Sequence, residues 1–176
     1  MADFFSHIVN ELAAKHIKNP RLEARILISH ILKCEVSEVH MGVSLNQTEQ
    51  KKVLELMEKR LAYCPIDKLV GHKGFYKWDF IVNEHVLSPR PDTEILVEEV
   101  VSYLCKVSKP NILDLGTGSG CIIISVLKEI SASSGVAVDV SVEALKVAAK
   151  NARQLDVISR LKLIKADWFD KNFVLE

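Results

Sequence analysis

One short passage constrains this chain more than any other: an apolar run, Asn111-Ile112-Leu113-Asp114-Leu115, that breaks into Gly116-Thr117-Gly118-Ser119-Gly120. The run predicts a buried strand, and Cys121 to Glu129 predicts a helix directly after the loop. Alternate glycines let the backbone turn sharply between the two and leave bare main chain open to close approach. The pattern then repeats. Gly135-Val136-Ala137-Val138-Asp139 reads as a second strand, and Val142 to Leu155 as a helix with Ala144, Leu145, Ala148 and Ala152 on its inner face. Leu161-Lys162-Leu163-Ile164-Lys165 supplies a third strand, closed by Ala166-Asp167-Trp168-Phe169. Strand, helix, strand, helix, strand predicts a parallel α/β sheet over residues 110–176.

Residues 1–72 read differently, as a helical domain. Phe4, Phe5, Ile8 and Leu12 fall on one helical face, and Leu22, Ile26, Leu27 and Ile31 on another. Asn19-Pro20 predicts a helix start, with Asn as N-cap and Pro at the first helical position. Asn46 with Glu49 three residues on predicts a capping box ahead of the stripe Val53, Leu54, Met57 and Leu61. Residues 73–109 form a third stretch, a β-hairpin linker and a leading helix. Phe75 to Val82 reads as one strand, turned back at Asn83-Glu84 toward Val86-Leu87. Pro89-Arg90-Pro91-Asp92-Thr93-Glu94 then holds an extended backbone up to a helix whose first turn favours Asp92 and Glu94. This segment serves either as a rigid connector or as a loop held against a pocket, with Arg90 offering planar donors.

Composition narrows the classes of partner. The chain has 176 residues, of which 48% are hydrophobic and 26% charged, values typical of a folded soluble domain. Its 23 basic and 23 acidic residues cancel, which favours neither nucleic acid nor an anionic membrane. No apolar run approaches the roughly 20 residues of a membrane span. The amino terminus lacks the basic and apolar regions of a secretory leader. Cys34, Cys64, Cys105 and Cys121 are widely spaced, which suits a reduced, cytoplasmic protein. The six histidines are scattered and away from the glycine loop, so no metal site is expected.

The glycine loop therefore carries the ligand reading. A dinucleotide fingerprint would need glycine at position 121, where this chain has Cys121. The observed G-x-G-x-G, preceded by Asp114, better suits a smaller nucleoside with a positive end, such as S-adenosylmethionine. Asp139, at the tip of the second strand, offers a carboxylate for both ribose hydroxyls, a role that nicotinamide and methyl-donor sheets share. Trp168 offers a flat face to adenine, and Asp167 an acceptor for its exocyclic amine.

With these residues in view, the chain resembles the peptide chain release factor glutamine methyltransferases of the HemK/PrmC family. The resemblance runs almost end to end. It takes in Pro65-Ile66, Leu69, Gly71, Phe75-Tyr76, Val86 to Glu94, Leu113 to Ile122, Asp139, Ala144-Leu145, Asn151-Ala152 and Asp167-Trp168-Phe169. The Pro-Arg-Pro-Asp-Thr-Glu string is its most specific part; Ser88 and Ala166 are small departures. It implies a Rossmann-like S-adenosylmethionine fold and methyl transfer to the glutamine side-chain amide in the Gly-Gly-Gln motif of class 1 release factors. It further implies that Gly116, Thr117, Gly118, Ser119 and Gly120 hold the methionine part of the donor, that Asp139 binds ribose, and that Asp167 and Trp168 flank adenine. The helical domain would grip the release factor, with no membrane or direct nucleic-acid partner.

The family's acceptor motif, Asn-Pro-Pro-Tyr, does not occur in the sequence. No catalytic residue is therefore assigned. Three strands fit residues 110–176 where a doubly wound sheet has more. The sequence is accordingly expected to be the front portion of a longer enzyme, incomplete for catalysis by itself, with an unpaired edge on its first or third strand. The alternatives are a non-catalytic fragment that binds the release factor or the donor, or a relative of nucleic-acid adenine methyltransferases, which the neutral charge disfavours. A nicotinamide oxidoreductase stands further off, discounted by Cys121.

Overall fold

The helical pattern of the first 70 residues becomes α1 (Ala2–Ala14), α2 (Pro20–Leu32), α3 (Gln47–Leu61) and α4 (Ile66–Val70) in a computed structural model that describes residues 2–41, 44–171 and 173. Their inward stripes meet in one apolar core, with Ile8, Leu12, Leu27 and Val53 fully buried. α3 starts on the expected capping box: the Glu49 N–H donates to Asn46 Oδ1 at 2.9 Å, and the Asn46 N–H donates to Glu49 Oε2 at 2.8 Å. α2 starts differently from expectation. Pro20 does open it, but Asn19 adopts a left-handed conformation, φ 58°, and makes no side-chain cap bond. Asn tolerates that region better than most residues, and there its side chain does not reach the helix amides. The Arg60 guanidinium pairs in two-pronged fashion with Glu23, the second contact at 3.1 Å, and ties α3 to α2. These residues form one unit, Met1–Val70, and Gly71–Glu176 form a second.

The second unit opens with an antiparallel hairpin, β1 (His72–Phe75) and β2 (Trp78–Ile81), closed by the pair Phe75 and Trp78. The aromatic run is thus not one strand. Its turn falls at Tyr76-Lys77, where Tyr76 takes φ 56°, and Asn83 to Leu87 form no returning strand. The β-propensity of Phe75 to Val82 is continuous across the bend, so composition alone does not mark the turn. A short 3₁₀ turn, Pro91–Thr93, leads into α5 (Glu94–Leu104).

β3 (Asn111–Leu115), α6 (Cys121–Glu129), β4 (Ser134–Asp139), α7 (Val142–Gln154) and β5 (Leu161–Lys165) then follow in the expected order. The sheet is parallel with strand order β3-β4-β5, aligning Leu113 with Val136 and Val136 with Lys162. β4 lies in the middle, while β3 and β5 flank it. β3 is less buried than its apolar sequence suggests: Asn111 and Leu113 lie exposed on one face of this flanking strand. The core of the unit gathers Phe80, Val97, Ile123, Ile124, Leu127, Ala137 and Ala152 between hairpin, helices and sheet. Residues 172 and 174–176, where a fourth strand is expected to begin, lie outside the described residues. Among the described residues no helix is long and apolar enough to cross a membrane.

Candidate functional site

Parallel strands joined by helices send all their strand-to-helix loops to one end of the sheet, which concentrates chemistry there. The three loop glycines sit at that end with φ of 78°, 56° and 79° for Gly116, Gly118 and Gly120. Their roles differ. A Cβ on Gly120 would lie 2.7 Å from Ile124 Cδ1 and 3.3 Å from Ala148 Cβ, so this glycine lets α6 and α7 close upon the loop. A Cβ on Gly118 would meet nothing within 4 Å, and one on Gly116 only the Trp168 Cη2 at 4.0 Å. Here the bare backbone faces open space.

The loop spends its amides on its own scaffold. Gly116 and Thr117 N–H both donate to the Val138 carbonyl, at 2.8 and 3.0 Å. Gly118 N–H donates to Asp139 Oδ2 at 2.9 Å, and Gly120 N–H to the Thr117 carbonyl at 2.8 Å. A loop that cradles an anion turns such donors outward. These turn inward. The physical distinction from a pyrophosphate loop therefore lies in where the hydrogen bonds run, beyond the glycine spacing at Cys121.

Asp139 closes β4 and cross-links the site. Its second oxygen, Oδ1, accepts from Ser141 N–H at 2.9 Å, and the Ser141 hydroxyl in turn caps α7 by accepting from Ala144 N–H at 3.1 Å. Each carboxylate oxygen holds one backbone donor and keeps a further lone-pair direction for a ligand hydroxyl. Thr117 and Ser119 are buried. The Thr117 hydroxyl donates to Asp114 Oδ2 at 2.7 Å, and Ser119 lies against the Cys121 thiol, which burial pushes up to about 11. These two side chains thus brace the loop from within.

Asp114 is the group that motif reasoning undervalued, since the sequence marked it only by its place before the glycines. Burial raises its carboxyl above the usual carboxylate range and the nearby Asp139 adds to the effect, against the lowering bonds from Thr117 and the Ile123 N–H. Two carboxylates beneath one loop give it a negative field that favours a cationic ligand.

Gly116, Asp139, Asp167 and Trp168 line one cavity of about 380 Å³, with Val138, Val140, Ala166 and Phe169 as its apolar wall. Trp168 is half-exposed and packs edge-on to Phe169, with ring centroids 5.5 Å apart. Asp167 fixes that corner, its Oδ1 accepting from Phe169 N–H at 2.9 Å. The remaining loop residues, Thr117 to Gly120, form the support beside the cavity. Arg90 is exposed and is not part of the cavity wall. The segment preceding it is anchored by Val82 and Val86 packing on Ala144 and Val147 of α7. Among the described residues no cluster of His, Cys, Asp and Glu is arranged to hold a metal.

Comparison with known proteins places both units. Residues 3–71 match the PrmC N-terminal domain, and residues 106–175 match a methyltransferase domain. A bifunctional methyltransferase of Rickettsia bellii is 42% identical over 182 residues, covering 88% of this chain and 33% of that protein. The release factor glutamine methyltransferase of Agrobacterium fabrum is 34% identical over 166 residues, covering 91% of this chain and 57% of its own length. That of Rhodopirellula baltica is 36% identical over 162 residues, covering 89% and 55%. The chain thus spans a third to little over half of these relatives.

Proposed function

This chain belongs to the HemK/PrmC family over the residues it contains, and on that premise we propose that it carries the donor-binding and substrate-gripping portion of a release factor glutamine methyltransferase. One observation carries the reading. Gly116, Asp139 and the pair Asp167-Trp168, drawn from three separate strand ends, meet around one cavity at the loop end of β3, β4 and β5. S-adenosylmethionine supplies an electrophilic methyl on a positively charged sulfur when bound. The residues present fit such a group: the open side of Gly118 leaves room for the methionine part, and the carboxylates of Asp114 and Asp139 suit its positive charge. Asp139 retains acceptor capacity for ribose, and the Trp168 ring with its apolar neighbours suits a flat base.

The acceptor is the side-chain amide of the glutamine in the Gly-Gly-Gln tip of a class 1 release factor. Its nitrogen is a weak nucleophile, so catalysis rests on alignment and on polarising the amide. The family's Asn-Pro-Pro-Tyr is absent from these 176 residues, and no residue of the chain is assigned that task. The helical unit would hold the release factor.

Two measurements test the reading. Calorimetry with S-adenosylhomocysteine should give a single saturable site that Asp139→Ala removes. Transfer of labelled methyl to a release factor should require a version extended through an Asn-Pro-Pro-Tyr strand. Transfer by the 176 residues alone would refute the division of labour. An extended version that binds NADH instead of S-adenosylhomocysteine would refute the donor assignment.

A further inference from the structure

Asn151 lies in the last turn of α7, fully buried, and its side-chain bonds all leave its own helix. Its Oδ1 accepts from Ile81 N–H at 2.7 Å, while its Nδ2 donates to the Ile81 carbonyl at 3.0 Å and to the Ser119 carbonyl at 2.9 Å. One amide thus joins the last residue of β2 to the glycine loop, partners that lie 70 and 32 residues away. The network fixes the orientation of the amide, because only an oxygen can meet the Ile81 N–H and only the NH₂ group can meet two carbonyls. Aspartate has the same shape but would set a carboxylate against two carbonyl oxygens. Leucine or alanine would leave three buried backbone groups unpaired.

The bond to Ser119 fixes the one loop carbonyl between Gly118, which is open to space beside the cavity, and Gly120, which is locked by packing. The bond pair to Ile81 fixes the point from which Val82 and Val86 lead along α7 toward the Arg90 segment. We propose that Asn151 is a positioning residue that sets the geometry of the donor loop by clamping it to the end of the hairpin, so that loop and hairpin end order together. The ligand part of this inference rests on the donor-site reading above; the coupling itself does not.

The test uses the whole chain as wild type, Asn151→Asp, Asn151→Ala and Arg160→Ala; the Arg160 guanidinium donates to the carbonyls of Leu127, Ile130 and Ser133, so its removal loosens the carboxyl end of α6, opposite the loop. In ligand-free hydrogen exchange, both Asn151 variants should speed exchange at the amides of Gly118 and Gly120 and at Val82 together, while Arg160→Ala leaves these unchanged. Titrated with S-adenosylhomocysteine, the Asn151 variants should bind about tenfold more weakly than wild type, with Arg160→Ala within about twofold despite its own loss of thermal stability. Loop exchange and affinity that stay at wild-type values in the Asn151 variants would overturn the proposal. Faster loop exchange in a series whose wild type binds no S-adenosylhomocysteine would uphold the clamp and sink the donor reading instead. If neither variant folds, the ligand-free wild type decides: in hydrogen exchange under rising urea, the Ile81, Gly118 and Gly120 amides should open as one unit, with a shared opening free energy and urea dependence. Separate openings of hairpin end and loop would overturn the clamp.

Discussion

Gly118 and Gly120 share a left-handed backbone and differ in what lies above it, so the same substitution has opposite signatures at the two positions. Gly118→Ala meets no atom within 4 Å and costs only the backbone strain, about 1 kcal/mol, yet it puts a methyl group into the open space that the donor reading gives to the methionine part. Thermal melting should change little while S-adenosylhomocysteine affinity falls by tenfold or more. Gly120→Ala adds a clash with Ile124 and Ala148 to the same strain and should cost about 2 kcal/mol or more, visible in melting before any ligand is added. Asp114 tests the electrostatics. Its folded pKa is raised, so its contribution to stability is fully present below the unfolded carboxylate value and is lost as pH rises through the folded one. Asp114→Asn should therefore melt higher than wild type at pH 7, and the gap should close as pH falls into the acid range. The same variant should bind S-adenosylhomocysteine more weakly at pH 7, and equal binding would remove Asp114 from the site. The positions of Asp139 and Trp168 at the loop end of the sheet are legible in the sequence because one ends β4 and the other closely follows β5. Asn151 was legible only as part of a resemblance, since its partners are backbone atoms that no side-chain pattern reveals.

Local signals at the level of single elements were strong wherever short-range chemistry sets the boundary. Asn46 and Glu49 start α3, and β3, α6 and β5 keep the bounds their apolar runs suggest. The hairpin was misplaced because its turn uses Tyr76 and Lys77, neither of which is a turn residue by type. Long-range caps were invisible for a related reason. Arg160 precedes β5, yet its guanidinium donates to the carbonyls of Leu127 at 2.6 Å, Ser133 at 2.8 Å and Ile130 at 3.3 Å, closing the carboxyl end of α6. Three charge-assisted bonds, to the helix carbonyl of Leu127 and to the Ile130 and Ser133 carbonyls just beyond it, make Arg160→Ala costly, by about 2 kcal/mol, and Arg160→Lys should recover only part of that. Urea melts of the three proteins provide the comparison.

For the molecule as a whole, the two units carry separate cores and should respond separately to damage. Glu23 and Arg60 lie within the helical unit, with side chains 14% and 15% exposed. Glu23→Gln strips the guanidinium of its ionic partner and should cost that unit about 2 kcal/mol. Exchange protection should fall in α2 and α3 and hold in β4; loss in both would mean the units melt as one. Parallel order was legible because strand and helix alternate over residues 110–176. The exposure of Leu113 was not, since it depends on what stands beside β3 rather than on β3 itself. The inward routing of the loop amides has a consequence at this scale too. Nucleotides such as ATP share adenosine with the proposed donor but attach to proteins chiefly through their polyphosphate tails. A berth whose loop amides at Gly116, Thr117, Gly118 and Gly120 are already engaged offers those tails little purchase, and its acidic floor repels them. Selectivity among adenosine compounds would then come from what the protein withholds as much as from what it extends.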